Sequence, residues 1–175
     1  MSVSANSHTC GCRSLRTADD RPSLDAASHR AQAYAQLFPQ LQMMLANEND
    51  TIANLANVAA LLKESFDFHW VGFYRVVGNE LVLGPFQGPA ACTRIARGRG
   101  VCGSAWQARS TIVVPDVDRF PGHIACSVEV RSEIVIPYFD RHHFVAGVLD
   151  IDSDKPDDFQ AVDQLWLEKI AALLR

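Results

Sequence analysis

Apolar residues recur at three- and four-residue spacing near both ends of the chain, while the middle carries short apolar or alternating runs broken by turn-formers. From Pro22 the positions Leu24, Ala27, Tyr34, Leu37, Phe38 and Leu41 define one helical stripe, which Pro39 is expected to break or kink. A second helix is predicted from the N-cap Asp50 through Ile52, Leu55, Val58, Ala59 and Leu62. The pattern then changes to strands: FHWVGFYRVV from Phe68, a Gly78-Asn79 turn, and ELVLGPF as the second arm of a hairpin. Alternation puts Phe68, Trp70, Gly72, Tyr74 and Val76 on one face, and His69, Val71, Phe73 and Arg75 on the other. CTRIARGRG reads as a strand entering a loop, VCGSAWQAR as a short helix, and TIVVPD, SEIVIPYFD and FVAGVLDID as further strands. Asp157 and Asp158 are expected to open a last amphipathic helix bearing Phe159, Val162, Leu165, Trp166, Ile170 and Leu173. Strands in the middle and helices at both ends predict an α+β layered domain, with about six antiparallel strands and the terminal helices on one face.

Composition narrows the class. The 175 residues suit one domain over 22–175 behind a Ser/Thr/Ala-rich tail, 1–21. With 48% hydrophobic and 21% charged residues, the chain reads as an ordinary folded protein. A net charge of −4 and the lack of a basic tract argue against nucleic acid as the main partner. No apolar run reaches the roughly 18 residues of a membrane span, and no apolar leader begins the chain, so a cytoplasmic protein is expected. Five cysteines in that setting are core residues, metal ligands or redox thiols in preference to a disulfide framework.

Between Arg99 and Pro137 the chain gathers Cys102, Trp106, His123, Cys126 and Glu133, with Cys92 just upstream. Asp150 and Asp152 stand two apart on an apolar strand, so they project from one face, an arrangement that requires a cation to meet them. Any single cysteine is commonly a core residue, and Trp106 and Trp166 read as packing residues. His142 and His143 fall in a turn, where solvent is their expected partner, and His69 reads as an edge or core residue. Metal-type groupings are sparse: His8 with Cys10 and Cys12, and His123 near Cys126, without a C-x-x-C pair; no resident metal is expected.

The runs GVCGSAWQ, VPDV, FPGHIAC, SEIVIP and GVLDIDS, closed by an F-x-x-x-D helix, resemble the free methionine-(R)-sulfoxide reductases, which are single GAF domains. The resemblance covers roughly residues 24–175, and Cys92, Cys102 and Cys126 match the family's cysteine triplet. It implies a GAF-like fold with loops and a short helix over a pocket, Cys126 as the nucleophile, Cys92 as the resolving thiol, and Cys102 lining the site or acting as a relay. Reduction of a sulfoxide by a thiolate also needs a proton donor at oxygen, for which Glu133 is the candidate. Asp150 and Asp152 are assigned to the substrate ammonium, the backbone N–H groups around Ile124 and Ala125 to its carboxylate, and Trp70 and Tyr74 to an apolar wall. The implied substrate is free methionine sulfoxide, with thioredoxin as external reductant, no bound cofactor, and a homodimer through the helix Leu24 to Leu45. The sequence departs from the family pattern at Ser127 to Val130, which alters the charge beside Cys126, and at the turn Asp140 to His143, which lacks glycine and is expected to be wide. A rival reading is a sensing module in which Cys92 and Cys126 form a disulfide that gates ligand binding.

Overall fold

The computed structural model describes residues 24–124 and 127–174. The expected tail with His8, Cys10 and Cys12, and the site candidates Ala125 and Cys126, lie outside the described residues. In chain order the elements are α1 (Leu24–Ala46), α2 (Thr51–Phe66), β1 (Trp70–Val77), β2 (Glu80–Gln87), β3 (Arg94–Ala96), α3 (Gly100–Ala108), β4 (Ile112–Val114), β5 (Ser132–Phe139), β6 (Val145–Ser153) and α4 (Ala161–Ala171). The strands form one antiparallel sheet in the order β3-β2-β1-β6-β5-β4. This is the α+β architecture that the hydrophobic pattern predicts.

The sheet divides two apolar clusters. On one face Tyr34, Leu37 and Leu41 of α1, Leu55, Val58 and Leu62 of α2, and Leu167 and Ile170 of α4 pack on Val71, Phe73, Ile134, Ile136, Leu149 and Ile151. On the other, α3 and its flanking loops cover Trp70, Tyr74, Val135 and Val148. The terminal helices therefore lie on one face as expected, and the site is left to the other. Among the described residues no helix is long and apolar enough to cross a membrane.

Three local expectations are corrected. α1 runs unbroken through Pro39. Both Pro39 and Ala35, whose carbonyl loses its N–H partner, are on the exposed side, so water can replace the missing bond. Phe68 does not share the face of Trp70: it precedes β1 and packs into the helix-side cluster. Finally, α4 begins at Ala161 instead of at Asp157 and Asp158, and its Leu165 is 53% exposed. Asp157 sits in a left-handed turn at φ 52°, and Gln160 forms the N-cap with Asp163 as the reciprocal member of a capping box. By contrast, the Asp50 cap holds, with its carboxylate accepting from the Ala53 N–H at 2.9 Å.

Asp163 does more than cap. It is fully buried and accepts hydrogen bonds from Tyr34 Oη at 3.0 Å, Arg30 Nη1 at 3.2 Å and the Gln160 N–H at 2.8 Å. Arg30 also meets Asp158 at 3.1 Å, and Asp158 accepts from Ser153 Oγ at 2.6 Å. The N-terminal helix is thereby tied to the end of β6, one residue beyond Asp152. Asp163→Ala leaves a half-buried guanidinium and a buried phenol with an acceptor fewer and removes one half of the capping box. We expect a loss of about 2–4 kcal/mol, read as a lower urea midpoint at unchanged m-value, and about 1 kcal/mol for Tyr34→Phe.

Candidate active site

The register of the three central strands builds the site. Trp70 on β1 pairs with Asp152 on β6, which pairs in turn with Glu133 on β5. In the next row of the same face, Gly72 pairs with Asp150 and Asp150 with Val135. Directly opposed residues share a face, so Trp70, Tyr74, Asp150, Asp152 and Glu133 project together toward α3. Glu133 and Asp150 are buried, at 6% and 7% exposure, and Asp152 is half-buried.

Two small adjacent cavities occupy this face. One, of about 40 Å³, lies among Tyr74, Cys102, His123, Glu133, Asp150 and Asp152, and is closed by the first turn of α3 and by Ile124. The other, of about 30 Å³, lies among His69, Trp70, Tyr74, Ala91, Asp150 and Asp152. Ser127 lines both. Residues 125 and 126 are thus flanked in sequence by two lining residues. Cys102 is buried in α3, and its start is permitted by Gly100, whose φ of 59° and lack of a side chain leave room for Ile124.

The aromatic wall is fixed from below. A Cβ at Gly72 would stand 2.2 Å from the Trp70 ring, so the indole lies flat over a strand position that only glycine leaves open. Trp70 Nε1 donates to the Pro89 carbonyl at 3.0 Å, and the ring stacks on Phe86 and Tyr74 at 5.4 and 6.1 Å. Tyr74 Oη donates to the backbone carbonyl of Cys92 at 3.0 Å, which anchors the segment carrying that half-buried cysteine beside the wall.

Among the described residues no lysine or arginine forms an ion pair with Glu133, Asp150 or Asp152, although Arg99 lines the first cavity; Asp150 hydrogen-bonds Glu133 and Cys102, and His123 Nε2 stands 3.6 Å from Glu133. Burial lowers the His123 pKa, which favours the neutral imidazole. The carboxyls therefore shift one another upward. Burial first, then Asp152, holds Glu133 well above the carboxylate range; burial and Glu133 do the same to Asp150, and burial and Asp150 to Asp152. Burial also raises the Cys102 thiol well above its ordinary value, with Asp150 and Glu133 adding to it. Cys102 is accordingly held as a thiol, a weak nucleophile.

A profile of the GAF domain family matches residues 50–175. The chain is 56% identical over 146 residues to GAF domain-containing protein A of Dictyostelium discoideum, covering 83% of this chain and 92% of that protein. It is 36% identical over 163 residues to the free methionine-R-sulfoxide reductase of Saccharomyces cerevisiae, covering 89% and 91%. The crystal structure of free methionine-R-sulfoxide reductase from Neisseria meningitidis with its substrate superposes with a TM-score of 0.81 at 52% identity, covering 83% of this chain and 87% of that one. The chain belongs to the free methionine-R-sulfoxide reductase family of GAF domains.

Several lining residues of this family member escaped strand alternation. His69 precedes β1, so the alternation that put it opposite Trp70 does not apply; it lines the second cavity, with Nδ1 3.7 Å from Glu129 and a buried Nε2 that makes no hydrogen bond. His123 was legible only as a neighbour of Cys126, and Val130 gave no signal at all, although both line the first cavity. The divergent run after Cys126 divides its roles: Ser127 lines both cavities, Val128 is 97% exposed, Glu129 meets His69, and Val130 is buried in the site-face cluster. His142 and His143 are exposed in the β5–β6 turn, where His143 takes a φ of 63°.

Raised carboxyl pKa values carry a stability signature. The folded state holds protons that the unfolded chain releases, so stability is fully present below the ordinary carboxylate pKa and falls as pH rises through the folded values. Glu133→Gln removes one of these groups. Its melting temperature should exceed that of the unsubstituted protein at pH 8, with the difference shrinking toward pH 4; a difference that grows on acidification would overturn the assigned direction.

Proposed function

We propose that the chain reduces free methionine-(R)-sulfoxide, with the roles set by the carboxyl row. The observation that carries this reading is the trio Glu133, Asp150 and Asp152, held on one buried sheet face with no ion pair to a lysine or arginine among the described residues, beside an aromatic wall and a buried thiol. A free amino acid supplies the missing cation as its ammonium, which Asp150 and Asp152 receive. Its methylsulfinyl group then lies against Trp70 and Tyr74, with the sulfoxide oxygen at Glu133. The substrate carboxylate takes backbone N–H groups of the segment from Ile124. A peptide-bound residue has no ammonium to offer, so the same site rejects it.

In this mechanism the Cys126 thiolate attacks sulfur while Glu133 gives its proton to the oxygen. The S–O bond breaks as oxygen passes to Cys126; methionine leaves reduced, and the cysteine remains as a sulfenic acid. The Cys92 thiol attacks that sulfur, expelling water and forming a disulfide. Thioredoxin returns the pair to dithiols and takes the disulfide, which suits a reducing, cytoplasmic setting. The raised pKa of Cys102 favours a relay or lining role for it over that of first nucleophile. Both cavities fall far below the ~300 Å³ lower end of small-molecule sites, so substrate entry separates their walls.

Turnover of the separate R and S epimers with thioredoxin or dithiothreitol tests the proposal. R alone should be reduced, and N-acetylated methionine sulfoxide should not. Cys126→Ser abolishes turnover, and Glu133→Gln lowers kcat by about 10²–10⁴-fold. Asp150→Asn raises KM by about 10–100-fold through loss of a charge-assisted contact. Saturable binding of methionine sulfoxide by a folded, reduced protein that never turns it over would make the domain a sensing module instead.

A further inference from the structure

The same pocket has the donor set of a transition-metal site. Cys102 Sγ, a Glu133 oxygen and an Asp150 oxygen all lie within 4.8 Å of one another, and all three residues are buried. Four-coordinate zinc holds thiolate, imidazole and carboxylate donors about 3.5 Å apart, so a small inward rotation of these side chains closes the triad. His123 approaches from the opposite loop, with Nε2 3.6 Å from Glu133 Oε2. A second observation points to a ligand: the hydrogen bonds that Asp150 shares with Cys102 and Glu133 leave one of its oxygens over. Asp150 Oδ1 is buried and makes no hydrogen bond, in a residue only 7% exposed that lines the same cavity. A cavity of about 40 Å³ accommodates one ion without movement of its walls, whereas the sulfoxide has to part them.

We propose that Cys102, Glu133 and Asp150 bind one zinc ion, with water as the fourth ligand, and that the ion excludes methionine sulfoxide from the site. A mixed sulfur and oxygen set selects zinc or a similar borderline cation over magnesium or calcium, which avoid thiolates. On binding, the Cys102 thiol and any protonated carboxyl release their protons to solvent, and the cation occupies the place left without one by the fold. The exclusion of substrate rests on the function proposed above, because it assigns Asp150 and Glu133 to the ammonium and the sulfoxide oxygen. Metal binding itself rests on the geometry alone. Zinc would then be a reversible inhibitor that holds the enzyme in an inactive form.

The test uses the full chain, reduced and without added thiol, in a Cys10→Ser/Cys12→Ser background that removes the tail cysteines. Cobalt is titrated first, then zinc against a chromophoric chelator. One equivalent should bind, with a thiolate-to-cobalt charge-transfer band in the near ultraviolet. Cys102→Ser should abolish the band, and Asp150→Asn should weaken zinc by at least about tenfold, each with the circular-dichroism spectrum of the folded protein. With Cys126→Ser added to the background, so that the sulfoxide is not turned over, methionine sulfoxide should raise the apparent zinc Kd in proportion to its concentration. A band and stoichiometry that persist in Cys102→Ser, or no band in the unsubstituted background, would overturn the site. Should one variant fail to fold, the other and the cobalt spectrum of the background protein decide. Binding lost with Cys102 but insensitive to methionine sulfoxide would uphold the metal site and sink the substrate assignment.

Discussion

Three carboxyl groups on one buried sheet face, with no lysine or arginine paired to them among the described residues, are the constraint around which the site-side half of this protein is arranged. Isolated carboxylates in such a place are strongly disfavoured, and the groups respond by holding protons. That response is what makes them useful. In the proposed reaction a carboxyl that holds its proton is the donor for an oxygen leaving sulfur, and a pair short of a cation is the receptor for the ammonium. The fold has to tolerate the cost, and the helix-side cluster with its Asp163 anchor stands directly behind the same strands.

The placement follows from register more than from loop conformation. Asp152 is bracketed by Trp70 and Glu133, so the groups assigned to ammonium, wall and oxygen come from three different strands but one row. A slip of one residue at β5 or β6 would turn a carboxyl to the helix face. The apolar partners of those strands, Ile134 and Ile151 among them, are fully buried against the helices and oppose such a slip. Precision at the site is thus supplied by packing on the other side of the sheet.

Much of this was visible in the chain. Alternation in GVLDIDS put Asp150 and Asp152 on one face, and the spacing of Trp70 and Tyr74 put both on one side of β1, because the period of a strand is insensitive to its surroundings. What alternation did not reach were positions just outside the strands. Phe68 and His69 were assigned faces as if β1 had begun earlier, and they exchanged roles. Asp157 and Asp158 looked like a helix start because acidic residues favour that position, but the cap went to Gln160 with Asp163, where Arg30 and Tyr34 from α1 also converge. A contact between residues 129 positions apart leaves no local periodicity to read. Gly72 was placed on the right face, yet its function, leaving room for the indole of Trp70, emerges only when β1 and that ring are seen together.

The thiols are divided by the same field. Cys102 sits beside the carboxyls and is pushed toward its protonated form by burial and by Asp150 and Glu133. A nucleophile placed there would work against the very groups that hold the substrate, since each negative charge favouring the ammonium disfavours a thiolate. The mechanism proposed above avoids the conflict by assigning the attack to Cys126 and not to Cys102. Cys102 is then released for a task that needs a buried thiol beside carboxylates. A transition metal is the partner that turns such a thiol into a thiolate, because the cation reverses the sign of the local field. Substrate and metal thus compete through charge: each supplies the positive group that the three strands leave out.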